Sequence, residues 1–412
     1  MNSLLLIVFA AAFVMIALEG VIKISKSAVA VLMAFFFWAA VFVGHMTDKV
    51  SVESALGAHL ADISQVIFFL LGAMMIVEII DSYRGFCVIK KLIRTSSKRA
   101  LLWIVSFIAF FASSMFDNVT TSIVMVTLLR QLLDDKHDRI FFASMVIIAA
   151  NAGGAWTPIG DVTTTMLWIR GCISSAGVMS RLFLPSLVSM LVPLACFSFY
   201  VKGNIASTEE QSCPHPKGSH TVLYVGMAAL LMAPVLKSFF DIAPFLSALC
   251  GAGVLWLYTD IRHKSEPDLS VPRVLKKIDI STLLFLVGVL LAVSALDTQG
   301  LLLSIESGLK SVFKSDSIVI AVLGVLSAVV DNVPLTAAAM GMYDLGAYTV
   351  NNHVWLLTAY CVGTGGSLLL LGSAAGVVVA GMEELSFGWY LKKISLPVLF
   401  GYLAGIGFFM FF

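Results

Sequence analysis

Charge is scarce in this chain. Of its 412 residues only 12% are Asp, Glu, Lys or Arg, while 59% are hydrophobic. A soluble domain carries about 25% charged and about 45–50% apolar residues, so a water-soluble fold is excluded. The charges also nearly cancel, at +1, without the basic excess that a nucleic-acid partner requires. Cysteines are few. The six, at 87, 172, 196, 213, 250 and 361, form no Cys-x-x-Cys pair and no metal-ligand spacing. The nearest thing to a ligand pair, Cys213 and His215, falls in a polar loop and reads as coincidence. No basic n-region or small-residue cleavage site accompanies the first apolar run, so no secretory signal is expected. Strict apolar/polar alternation is missing too, which argues against a β-barrel.

What is present is a series of long apolar runs. Segments such as 4–18, 27–44, 64–80, 281–296 and 395–412 are long enough to cross about 30 Å of hydrocarbon as helices. The expectation is an all-α polytopic protein of the lipid bilayer. Spans read near 2–19, 27–44, 62–80, 140–169, 178–200, 219–239, 243–258, 279–296, 354–380 and 394–412. His45, His59 and His353 are expected in or near outer loops, and Asp297 and Asp344 in the outer interface.

Two further apolar segments are interrupted midway by polar residues. The segment 100–133 carries Ser114-Met115-Phe116-Asp117-Asn118-Val119-Thr120-Thr121-Ser122, and 311–343 carries Val330-Asp331-Asn332-Val333-Pro334. An acid in the middle of an apolar span costs about 2.5–3.5 kcal/mol on insertion scales, and its default reading is functional. If both segments are hairpins returning to their own side, all but six of the 26 lysines and arginines share one face. The six are Lys49, Arg170, Arg181, Lys237, Lys310 and Lys314. By the positive-inside rule that basic face is cytoplasmic, with both termini outside, in a bacterial inner membrane or its equivalent. Single crossings would weaken the asymmetry, so hairpins are preferred.

The Asp-Asn-Val pairs are one of three echoes at nearly constant offset. Phe69-Leu70-Leu71-Gly72 matches Phe285-Leu286-Val287-Gly288, and Gly153-Gly154…Gly160 matches Gly365-Gly366…Gly372. The expected division is N-terminal helices 1–60, a first repeat 61–200, a loop and connecting helix pair 201–278, and a second repeat 279–412. The repeats contain the hairpins 100–133 and 311–343 and the broken helices 140–169 and 354–380. Since hairpins do not count as crossings, the repeats have inverted topology. That is the build of secondary transporters, whose site lies near the midplane where the repeats meet.

The broken helices carry the densest polar signal. In 151–168, glycines, Pro158, Asp161 and three consecutive threonines fall inside a span. Proline removes an amide hydrogen and clashes with the preceding turn, and unwound backbone at that depth is tolerated only where protein or a cavity surrounds it. The matching stretch 363–376 keeps the glycines but has Ser373 where the first has Asp161. A hard cation such as Na⁺ prefers carboxylate, carbonyl, hydroxyl and amide oxygens. The candidate ligands are Asp117, Asn118, Thr120, Thr121, Asn151, Thr157, Asp161, Asp331 and Asn332. Glu78, Thr163, Thr164, Thr364, Ser367 and Ser373 form an outer set. Burial favours the protonated carboxyl group and a bound cation the ionised one, so the same oxygens can hold either H⁺ or Na⁺. No cofactor and no enzymatic chemistry are expected.

Blander readings stand beside these. The Asp-Asn pairs can act as helix caps, and the glycines as close-packing positions. Glu78 can snorkel to the interface. None of these accounts for Asp161. An intramembrane aspartyl protease would need Gly where Pro158 stands, and a passive channel would not couple Na⁺ to protons.

At these motifs the chain resembles the NhaD family of Na⁺/H⁺ antiporters, within the broader ion transporter superfamily. The residues that carry the likeness are Val77-Glu78-Ile79-Ile80-Asp81, Asp117 to Thr121, Asn151 to Trp168, Asp331-Asn332-Val333-Pro334, and Gly363 to Gly376. Thr157 and Cys361 look like mild variations, and residues 1–60 match weakly. The resemblance implies extrusion of Na⁺, and with it Li⁺, driven by inward proton flow, and inverted repeats meeting at a central site. By superfamily analogy it also implies a homodimer. The competing reading is a Na⁺-coupled symporter of dicarboxylate or other anions in the same superfamily. That role would call for Ser-Asn-Thr tips or a buried Arg or Lys.

Overall fold

A computed structural model describes residues 2–17, 24–44, 49–86, 95–204, 216, 218–262, 269–343, 345–370 and 372–411. The described chain is almost wholly helical, with one isolated bridge between Ser97 and Asn204. In chain order the helices are α1 (Asn2–Ala17), α2 (Lys26–Gly44), α3 (Lys49–Ser82), α4 (Lys98–Ser113), α5 (Asn118–Leu132), α6 (Lys136–Gly154), α7 (Val162–Ile169), α8 (Ser175–Tyr200), α9 (Ser219–Phe240) and α10 (Pro244–Arg262). After a short turn of helix at Val271–Val274 come α11 (Ile280–Thr298), α12 (Leu301–Phe313), α13 (Asp316–Leu326), α14 (Asn332–Met342), α15 (His353–Gly365), α16 (Ala374–Glu383), α17 (Phe387–Lys393) and α18 (Ser395–Phe411).

Six of these, α2, α3, α8, α9, α10 and α11, are long and apolar enough to cross a membrane, and α17 with α18, bent by 56°, forms a seventh if read as one span. Large apolar side chains such as Phe35, Phe36, Leu284 and Phe400 are exposed on them. In water such a surface would be a liability; in lipid it is the expected exterior. The chain is an integral, multi-pass membrane protein.

The centre is made of the helices that are too short or too polar to qualify. From Phe142 to Gly154, α6 is buried on every side, and so is α15 from Val354 to Gly365. A helix apolar all round belongs in a core. Each then breaks: α6 at 155–161 before α7, and α15 at 366–373 before α16. A helical hairpin packs against each break, α4–α5 beside α6 and α13–α14 beside α15.

The same local contacts fasten both hairpins. Ser113 Oγ donates to the Ala150 carbonyl at 2.7 Å, and Ser327 Oγ to the Val362 carbonyl at 3.1 Å. A Cβ at Gly160 would press on the Ser113 carbonyl, and one at Gly372 on the Ser327 carbonyl. The halves also interlock. The hairpin helix α5 packs on α16 of the other break, while α14 packs on α7.

Some bounds differ from the sequence expectation. Helix α3 begins at Lys49, because 49–61 contains no proline and only one glycine to stop a helix. His59 therefore sits on a helix rather than in a loop, its ring 6.2 Å from Trp38 and its Nε2 3.4 Å from Thr298 Oγ1. The second hairpin starts at Asp316 rather than 311. Lys314, at φ 54°, ends α12, which stands as a separate amphipathic helix. His45, Cys87, Cys213, His215 and Asp344 lie outside the described residues.

The tight seat of the second break is open to test. Gly365→Ala would drive a Cβ into the Gly324 carbonyl, whereas Gly407 faces open space. Overpacking of this kind costs about 1–3 kcal/mol. Gly365→Ala should lower the melting temperature in detergent and Gly407→Ala should leave it unchanged.

Candidate functional site

Two asparagines tie the halves together. Asn151, fully buried on the last turns of α6, accepts from Asn118 Nδ2 at 2.9 Å. Its own Nδ2 donates to Ser367 Oγ at 2.8 Å and to Ser373 Oγ at 2.9 Å. Asn118 comes from the tip of the first hairpin, and both serines from the break between α15 and α16. One amide thus joins three elements, which is the arrangement required of a buried polar group that must spend all its bonds.

Asp161 lies in the same cluster, 4% exposed, and behaves differently. Four helices start at the tips and breaks, at Asp117, Asp161, Asp331 and Ser373. Three of these residues cap their helix. Asp117 Oδ1 accepts from the Val119 and Thr120 amides at 3.0 and 2.9 Å, and Asp117 Oδ2 accepts from Thr120 Oγ1 at 2.5 Å. Asp331 Oδ1 accepts from the Val333 amide at 3.4 Å, and Ser373 Oγ from the Gly376 amide at 3.1 Å. The Asp161 side chain makes no capping bond to α7. Its Oδ1 lies 3.5 Å from Asn118 Nδ2, at the limit of a hydrogen bond, and its Oδ2 has no partner. That second oxygen faces α15, where a Cβ at Gly363 would fall 3.2 Å from it. The hydroxyls of Thr121, Ser122, Thr163 and Thr164 are likewise buried without a partner. An orphaned carboxylate oxygen costs far more than a satisfied one, so the free oxygen of Asp161 marks a position open to a ligand. Hard oxygen ligands without thiolate or imidazole suit an alkali cation. Among the described residues no three His, Cys, Asp or Glu side chains gather as a metal cluster would require.

The other candidates are spent elsewhere. Thr157 Oγ1 donates to the Ser114 carbonyl at 2.7 Å, and Thr364 Oγ1 to the Tyr360 carbonyl at 2.6 Å. Asn332, oriented so that its nitrogen is satisfied, reaches the Val362 and Gly372 carbonyls at 3.1 and 3.2 Å. Asp331 pairs with Lys26 Nζ at 3.2 Å. Glu78 lies on the last turns of α3, half-buried and within the fields of Asp81, Lys277 and Asp117.

Three features were missed in the sequence. Ser122 follows Asn118 by four residues and so shares its helix face, a signal that was readable. Lys26 has no signature at all, since it reads as a boundary lysine. The third is a lock of ion pairs at the far end of α5 and α16. Glu383, 3% exposed, accepts from Arg130 Nε at 2.6 Å and Arg139 Nε at 3.2 Å. Beside it, the Lys136 ammonium pairs with Glu384 and holds that exposed carboxyl below the usual carboxylate range. At the end of α7 a cleft is lined by His59, Asp62, Arg170 and Asp297, with Arg170 3.7 Å from Asp62.

Residues 5–363 match the family described as CitMHS, citrate transporter. Two Arabidopsis thaliana proteins named sodium/proton antiporter 1 and 2 are 43% and 42% identical to the chain. The matches cover 97% of this chain in both cases, and 70% and 97% of theirs. A protein of Vibrio cholerae named Na(+)/H(+) antiporter NhaD is 29% identical, over 97% of this chain and 90% of its own. Among solved structures, the YdaH transporter of Alcanivorax borkumensis superposes with a TM-score of 0.59. The match covers 94% of this chain and 98% of that one at 12% identity, a likeness of fold alone.

The position of Asn151 as the hub is testable on its own. Asn151→Ala removes the acceptor of the Asn118 amide and the donor to Ser367, while Ser373 keeps the Gly376 amide, at about 1–3 kcal/mol for each group left unsatisfied. The variant should melt several degrees lower in detergent, and Ser367→Ala should cost less.

Proposed function

The chain belongs to the CitMHS citrate-transporter family, in the group of the NhaD sodium/proton antiporters, and from that premise we propose that it exchanges Na⁺ for H⁺ across its membrane at Asp161. The observation that carries this reading is that Asp161, alone of the four residues starting helices at the tips and breaks, does not cap its helix and keeps one buried carboxylate oxygen without a partner. Its oxygens, those of Thr163 and Thr164 beside it, and those of Thr121 and Ser122 on α5 form the cation site in this proposal. Asn118 and Asn151 position that site.

The mechanism follows from competition for one pair of oxygens. Protonated Asp161 is neutral and at ease in a dry site. Na⁺ binding requires the ionised form and so releases the proton. A site that holds only one of the two at a time couples their movements when it opens alternately to each side. The recurrence of the Ser113/Ser327 and Gly160/Gly372 contacts supports repeats 61–200 and 279–412 of inverted topology, joined through 201–278 and preceded by helices 1–60. The ion-pair lock at Glu383, on the basic face taken as cytoplasmic, then closes that side. Na⁺, and Li⁺ as a second alkali ion, would leave the cytoplasm as protons come in, with the protein in a bacterial inner membrane or its equivalent.

A citrate or dicarboxylate carrier is the second reading, favoured by the family's description. An anion site calls for a cation at the substrate. Among the described residues, no lysine or arginine lies within ion-pair distance of Asp161 or Asp117. The acidic cluster therefore supports cation exchange.

In everted vesicles, Na⁺ and Li⁺ should dissipate a respiration-driven proton gradient, whereas K⁺ and citrate should not; dissipation by citrate alone would overturn the reading. Asp161→Asn should reduce the Na⁺ response to that of vesicles lacking the protein. Asp117→Asn keeps a competent cap and should lower the flux by less. Because a protonated carboxyl group must lose its proton before Na⁺ binds, apparent Na⁺ affinity should weaken as pH falls. The slope is about tenfold per pH unit once Asp161 is mostly protonated. An affinity flat with pH would contradict one-site competition.

A further inference from the structure

The two halves repeat the same tip, Asp117-Asn118 and Asp331-Asn332, but the structure treats their charges differently. Asp117 is satisfied by the amides and hydroxyl of its own helix. Asp331 is held by Lys26 from outside the repeat, at 3.2 Å, with both side chains about four-fifths buried at 21% and 17% exposure. The lysine is not a loose surface cation. It starts α2, and α2 is fastened along α11 by three contacts. Ser27 Oγ donates to the Ser281 carbonyl at 2.7 Å, and Trp38 Nε1 to the Leu291 carbonyl at 2.8 Å. Gly288 lets the α2 backbone at Ala30 come so close that a Cβ there would overlap it. The ammonium group also lies 4.6 Å from the centre of the Phe285 ring, a contact that favours a cation over a neutral group. Carboxylate, ring and helix together hold one positive charge in place.

The break of the second half points the same way. Where the first half has Asp161, the second has Ser373, whose oxygen is already committed to Asn151 and to the Gly376 amide. Asp331 is thus the only acid at the tip and break of the second half, and its charge is cancelled from within the protein.

We propose that Lys26 is a built-in cation: its ammonium group cancels the one carboxylate at the centre of the second half, so that each chain keeps a single exchangeable cation site, in the first half. This rests on the antiport reading for the site at Asp161 and adds to it how many cations each chain takes. It also assigns a role to the first spans, since Lys26 starts α2. Lys26 is a positioning residue in this scheme, since it touches Asp331 and not the transported ion.

The test is the amount of radioactive Na⁺ bound at saturation by the full-length purified protein, at a pH where wild type binds reversibly. Lys26→Gln removes the charge but supplies an amide oxygen beside Asp331. Na⁺ bound per chain should then rise about twofold, because an unpaired buried carboxylate takes up a counter-ion that hard oxygens favour. Lys26→Arg keeps the charge and should bind as wild type does. The double variant Lys26→Gln/Asp331→Asn should return to the wild-type amount. A structural ion pair with no bearing on the ion count would leave all four proteins equal, and that result would overturn the proposal. If Lys26→Gln cannot be purified folded, Lys26→Met takes its place: a rise in Na⁺ bound per chain that Asp331→Asn reverses upholds the proposal, and an unchanged amount overturns it. Absence of Na⁺ binding in wild type would be a different failure, which removes the antiport reading itself.

Discussion

One unsatisfied carboxylate sets the terms for the rest of this structure. Asp161 is almost wholly buried, caps nothing, and keeps an oxygen without a partner. Three nearby polar side chains are committed elsewhere: Thr157 to the hairpin, Asn151 to Asn118 and two serines, and Asn332 to the second break. Leaving a carboxylate in that condition is expensive, and the surrounding fold has to be rigid enough to prevent its collapse onto a nearby donor. Buried helices α6 and α15, locked by glycines that seat backbone against backbone, supply that rigidity.

The two hairpins and the two breaks are interlocked. The hairpin helix of each half packs on the broken helix of the other, α5 on α16 and α14 on α7. Asn151 bridges them at the middle, and Glu383 with Arg130 and Arg139 joins them at one end. In the proposed exchange cycle these contacts are what would carry a displacement of either half to Asp161. The buried partner is Glu383, and loss of its arginines would leave a buried carboxylate unpaired, which is costly.

Much of this was legible in the chain. The apolar runs marked the long helices, and Gly153-Gly154…Gly160 and Pro158 marked the first break because the residue types that unwind a helix occur together there. Asn118, Asn151, Asp161, Ser367 and Ser373 were all named as candidates, and the fold brings them into one cluster. What could not be read was commitment. Asp117 and Asp161 look alike as letters, and only geometry shows that one spends both oxygens on its own helix while the other spends neither. Lys26 escaped for a similar reason. A lysine at the start of a span predicts an interfacial charge, and its pairing with Asp331, 305 residues away, depends on how α2 lies along α11. His59 was misplaced because 49–61 is polar enough to read as a loop yet lacks the residues that would stop a helix.

The central claim is that Asp161 gives up a proton when Na⁺ arrives. The direct measurement is the pH of weakly buffered, detergent-solubilised protein on addition of NaCl, with KCl as the control. Wild type should release close to one proton per chain with Na⁺ and none with K⁺, and Asp161→Asn should release none with either. Equal release from wild type and Asp161→Asn would show that the proton comes from another group, and the account given for this site would fall.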